Sequence, residues 1–161
     1  GSQQMRMFAG LSVAFLAMCL FPSTERRANI PPVIPNSPFD HYGNVCWEDE
    51  QARLDSFAIA LSNSSTATGQ IVVYAGRLAC RDEAKYRGTR AKNYVIKRAG
   101  LDPRRIEFKD GGFAREVDTY LIVKPKGASD YDVPESLSKD EVSIKRCFDK
   151  VFAKVMCLNK R

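Results

Sequence analysis

Apolar residues recur at Leu54, Phe57, Ala58 and Leu61, the spacing that puts one stripe along a helix. Glu48, Asp49 and Glu50 crowd the start of that stretch, where the positive end of a helix favours carboxylates. Asn63-Ser64-Ser65 marks its exit, so a helix is predicted over residues 48–61. The period then shortens. Residues 70–75 (QIVVYA) are β-branched and aromatic and read as a buried strand. A second helix is predicted over 83–99, with Ala84, Gly88, Ala91 and Val95 as its inner stripe and Gly100 as its left-handed stop. The small residues imply close packing on a sheet. Residues 105–108 (RIEF) and 119–123 (TYLIV) read as further strands, with Asp110-Gly111-Gly112 as a tight turn between them. A less certain first strand falls within 39–45. Helices alternating with strands predict an α/β sandwich, with helices packed on a mixed sheet.

The ends read differently. Gly1 and Ser2 look like a scar ahead of Met5. Met5-Arg6-Met7 followed by the apolar run 8–21 has the layout of a secretory signal peptide. The run is short for a membrane span, which needs about 20 apolar residues. Four prolines in 30–38 (IPPVIPNSP) predict an extended linker. The division read from sequence is therefore 1–25 scar and signal, 26–38 linker, 39–127 folded domain, and 128–161 polar linker plus C-terminal helix. For that helix, Ser138 and Glu141 have capping-box spacing, and Ile144, Phe148, Val151, Val155 and Leu158 form an apolar stripe. It could cover a sheet edge. It could also meet a partner or membrane surface, because Lys145, Arg146, Lys150, Lys154, Lys160 and Arg161 surround the stripe.

Composition narrows the chemistry. A hydrophobic fraction of 44% is enough to build a core, and a net charge of +6 suits anionic surfaces without specifying one. Outside the signal, the cysteines are Cys46, Cys80, Cys147 and Cys157. An even number fits an oxidising compartment. There is no CxxC pair, and His41 is the only histidine, so neither a zinc site nor any other cofactor is predicted. Asp110-Gly111-Gly112 lacks the Lys-Ser/Thr of a phosphate loop. A thiol enzyme using Cys46 or Cys80 with His41 as base requires a closeness that spacing does not supply. The basic run from Arg77 to Arg98 contains Asp82 and Glu83 and reads as a solvated helix face rather than a nucleic-acid surface. A binding protein, not an enzyme, is expected.

The stretches GQIVVYAG, EAKYRGTRAKNYVIKRAGLDPRRIEFKDGG and VDTYLIVKP resemble the OmpA-like C-terminal domain over about residues 39–125. Arg90-Ala91, Gly100, Arg105-Ile106 and Gly111-Gly112 fall at the family's positions. The resemblance implies a βαβαββ fold with both helices on one face of the sheet. It also implies an exported location, periplasmic or at the outer membrane, and attachment to peptidoglycan or another anionic envelope component, with Arg90 receiving a carboxylate. A protein partner is the alternative. The sequence departs from the family at Ala79, which stands where an aspartate receives the ligand's ammonium. Asp82 is the nearest substitute, and Tyr86-Arg87 replaces Leu-Ser. Weak or altered peptidoglycan binding is therefore expected. In the implied fold the first two strands are parallel, and Cys46 and Cys80 follow their ends on one edge. A Cys46–Cys80 disulfide is expected there, because a Cys147–Cys157 bridge would break the C-terminal helix.

Overall fold

The computed structural model describes residues 37–147. In chain order the elements are β1 (Asp40–Tyr42), α1 (Trp47–Ser62), β2 (Thr68–Ala75), β3 (Leu78–Cys80), α2 (Glu83–Ala99), β4 (Ile106–Phe113), β5 (Asp118–Lys124) and β6 (Ser143–Lys145). Four strands form a mixed sheet in the order β1-β5-β2-β4. β5 runs antiparallel to both β1 and β2, and β4 runs parallel to β2. The alternation along β2 and β5 sorts side chains to two faces. Ile71, Val73, Leu121 and Val123 meet Leu54, Phe57 and Leu61 of α1 and Ala84, Ala91 and Val95 of α2 in the main core. Both helices thus pack on one face of the sheet, and α2 ends at Gly100 with φ 61°. Its small stripe has a specific reason: Gly88 lies against the Phe108 ring of β4.

The opposite face is covered by the chain that follows β5. Val72, Tyr74, Tyr120 and Ile122 form a second apolar cluster, and Tyr131 and Val133 pack over it. The Tyr74 hydroxyl donates to the Pro134 carbonyl. Beyond this, Leu137 N–H donates to the Phe113 carbonyl at 2.7 Å, and Phe113 N–H donates to Ser136 Oγ at 2.9 Å. Residues 128–137 are therefore a strap across the sheet rather than a free linker.

Three expectations are corrected. Asp110-Gly111-Gly112 is not a hairpin turn. β4 runs through it with a bulge, its partners stepping from Val73↔Asp110 to Tyr74↔Gly112. The insertion leaves Gly111 under the Tyr74 ring, where a Cβ would come within 2.6 Å, and puts Gly112 at φ 87°. Parallel pairing to β2 carries the strand past its glycines. The predicted helix does not begin at Lys139 either. Ser138 and Glu141 do interact, since Ser138 N–H and Oγ both donate to the Glu141 carboxylate. They close only a single 3-10 turn, Lys139–Glu141. The chain then extends as β6, parallel to β3 with Leu78↔Ser143 and Cys80↔Lys145. The expected stretch beyond Cys147 lies outside the described residues, as do the signal and proline-rich segments.

The third correction is the disulfide, which joins Cys80 to Cys147 (Cα–Cα 5.5 Å) rather than to Cys46. β1 and β2 do end on the same edge, but β5 lies between them. Two strand spacings come to about 10 Å, beyond the roughly 4.4–6.8 Å that a disulfide spans. β3 then leads Cys80 to β6, and β6 delivers Cys147. Cys46 takes the N-cap position of α1.

Arg105 closes the other end of α1. Its guanidinium donates to the carbonyls of Leu61, Ser64 and Ala67 over 2.5–3.1 Å. The last turn of α1 holds no basic residue, so a cation from the turn just before β4 meets the negative helix end instead. Arg105→Ala should cost about 2–3 kcal/mol, because several charge-assisted bonds go together. Chemical denaturation would read this as a lower midpoint at unchanged slope.

Candidate functional site

The C-terminal ends of β1 and β2 open on a cleft of about 580 Å³ between α2, the β2–β3 turn and the β4–β5 turn. Asn44 lines it from the loop after β1, Arg77 and Leu78 from the end of β2 onward, and Arg115 and Glu116 from the β4–β5 turn. The two turns meet where Arg77 N–H donates to the Arg115 carbonyl at 3.4 Å. The cleft's inner wall is Glu83 and Arg87, one helical turn apart on α2, and both are buried. Arg87 bonds Glu83 Oε1 through Nε at 3.0 Å and reaches Asn44 Oδ1 through its terminal nitrogen at 3.0 Å. The other Glu83 oxygen accepts from Cys80 N–H at 3.1 Å. Glu83 therefore ties α2 to β3 and to the disulfide, while Arg77 and Arg115 stand exposed at the rim. With Glu83 held by Arg87, the mouth of the cleft carries a positive balance.

Arg90, the predicted ligand residue, sits one turn farther along α2 against α1. Its guanidinium pairs with the Glu50 carboxylate and lies 4.1 Å from the centre of the Trp47 ring. Glu50 is only 3% exposed and also accepts from the Tyr42 hydroxyl at 3.3 Å. Burial pushes the Glu50 carboxyl above its usual range, with Arg90 and Arg87 pulling the other way. A ligand carboxylate at Arg90 would have to compete with this internal one. Ala79 is buried in β3, so no carboxylate stands at that position. Asp82 is exposed at φ 60° and lines a different hollow, with Asp110 and Ile144. Neither position therefore places an acid opposite Arg90.

Sequence reading missed Arg87, Asn44 and Glu50. The i,i+4 spacing of Glu83 and Arg87 was a visible signal for an ion pair, but nothing local marked its burial. Glu50 was read as a carboxylate favouring the helix start, whereas Tyr42 and Arg90 draw it into the interior. His41 lies on β1 beside Asp118 (Nε2–Oδ1 2.6 Å) and stacks on Tyr120, contacts that involve neither Cys46 nor Cys80. Among the described residues, no cluster of three metal-ligating side chains forms, and no helix is long and apolar enough to cross a membrane. The disulfide is compatible with an exported protein. No protein-family model matches the chain, and a search of curated proteins finds no match.

Proposed function

We propose that this domain is a binding module of the bacterial cell envelope, of the OmpA-like type, which takes an anionic envelope component in the arginine cleft and performs no chemistry on it. One observation carries the reading: an arginine-lined cleft at the shared edge of β1 and β2, in a sheet ordered β1-β5-β2-β4 with both helices on one face. The resemblance in residues 39–125 points the same way, and the disulfide suits the compartment. Arg77 and Arg115 at the rim are the first contacts for a carboxylate or phosphate, because a guanidinium fork donates to either bidentately. Without an acid at Ala79, a zwitterionic peptide stem loses one of its two charged contacts. That loss is worth about 1.5–3 kcal/mol, so peptidoglycan is held weakly.

Sedimentation with purified sacculi tests this. Wild-type protein should be retained weakly and lose retention as salt rises, and Arg77→Ala/Arg115→Ala should cut retention about tenfold. Equal retention of the double variant would move the site elsewhere. Tight retention abolished by Arg90→Ala would mean that Arg90 exchanges Glu50 for the ligand. A second reading, a protein-binding module, is favoured by Leu78, which is 75% exposed at the cleft. Retention by protein-bearing envelope but not by stripped sacculi, lost in Leu78→Asp, would select it.

A further inference from the structure

We propose that the Cys80–Cys147 disulfide is a redox latch, whose reduction by an external dithiol frees β6 from β3 and opens one wall of the arginine cleft while the α/β core stays folded. The two strands are three residues each and, among the described residues, pair only with each other. All three β6 residues are exposed, Ile144 by 49%, and β6 contributes no side chain to either apolar cluster. Outside the three-residue pairing, Ser143 N–H donates to the Arg77 carbonyl (2.8 Å) and Arg81 N–H to the Lys145 carbonyl (2.9 Å). A two-stranded ribbon this short is marginal by itself. A covalent bond between residues 67 apart tethers it.

The core does not depend on that bond. The strap upstream keeps its own anchors at Pro134, Ser136 and Leu137. β3 adds only Ala79 to the main core. Cys80 and Cys147 both line the cleft beside Arg87, which is 5% exposed. Withdrawing Cys147 therefore widens the cleft that the guanidinium and its Asn44 partner line. The exchange balances. One thiolate of the dithiol attacks a sulfur of the bridge and forms a mixed disulfide. Its second thiol then attacks that bond. Cys80 and Cys147 leave as two thiols, having gained two electrons and two protons, and the dithiol becomes a cyclic disulfide. The inference rests on the cleft's geometry and stands whatever ligand the cleft takes.

The test is reduction of the full chain with dithiothreitol in the absence of denaturant, followed by hydrogen exchange. Peptide mapping should find free thiols at Cys80 and Cys147. Exchange at the Arg81 and Ser143 amides should rise at least about tenfold, while the β2, β4 and β5 amides keep their protection. Phenylglyoxal labelling of Arg87 should rise in parallel. Cys80→Ser/Cys147→Ser should match the reduced protein without any reductant. Three results would overturn the latch: a bridge that resists reduction until the core unfolds, a ribbon still protected after reduction, or exchange that rises throughout the sheet.

Discussion

Glu50→Ala is expected to cost about 3–5 kcal/mol, the price of removing one partner from a buried ion pair. The carboxylate is the acceptor for Arg90 and for the Tyr42 hydroxyl, and its loss leaves a guanidinium facing the space between α1 and α2. The pair itself need not be strongly stabilising. Glu50→Met/Arg90→Met should therefore recover most of the loss, since replacing both charges removes the desolvation cost together with the attraction. Denaturant midpoints of the two variants measure this. Glu50 also sets a sign for pH. Its folded carboxyl is raised, chiefly by burial. The folded state thus binds the proton more tightly than the unfolded state. The associated stability is fully present below the unfolded value of about 4.3 and is lost as pH rises through the folded value. Glu50→Gln should remove that part of the pH dependence. An unchanged slope above pH 4 would contradict it.

Gly88→Val should be the next most damaging change, at about 3 kcal/mol. Glycine inside a helix is ordinarily a weakness, and alanine there gains about 0.5–1 kcal/mol. Here a Cβ would enter the Phe108 ring, and overpacking of this kind costs about 1–3 kcal/mol or more. Even Gly88→Ala should destabilise, against its helix propensity. The compensating experiment is Gly88→Val/Phe108→Ala. The double variant should be at least about 1 kcal/mol more stable than the sum of its parts, because the two side chains compete for one volume. Additive losses would mean that α2 tolerates the side chain by shifting on the sheet.

Local pattern made much of this protein legible. The apolar stripe through Leu54, Phe57 and Leu61 predicted α1 (Trp47–Ser62) to within a residue or so at each end, and the stripe 84–88–91–95 with Gly100 predicted α2 at its observed bounds. The QIVVYA and TYLIV runs predicted β2 and β5. These succeed because a helix or strand buries one face of itself, and that need is written at a fixed step in the residues concerned. The small residues of α2 even foretold a close approach, though not that Phe108 would make it.

Pairing between distant segments was not legible, because it depends on contacts made only in the folded chain. Placing β5 between β1 and β2 separated Cys46 from Cys80, although β1 and β2 do end on one edge. Ser138 and Glu141 do bond as their spacing suggested, yet the helix they announced gives way to β6, because β3 and Cys80 offer backbone and sulfur partners sixty-odd residues away. Arg90 was an expected ligand residue, but Glu50 on the neighbouring helix determines what its guanidinium holds. Local residue order sets which residues need burial and with what period. Which strand lies beside which, which cysteine meets Cys80 and which carboxylate meets Arg90 depend on contacts between residues far apart in the chain, and a local period carries no record of them.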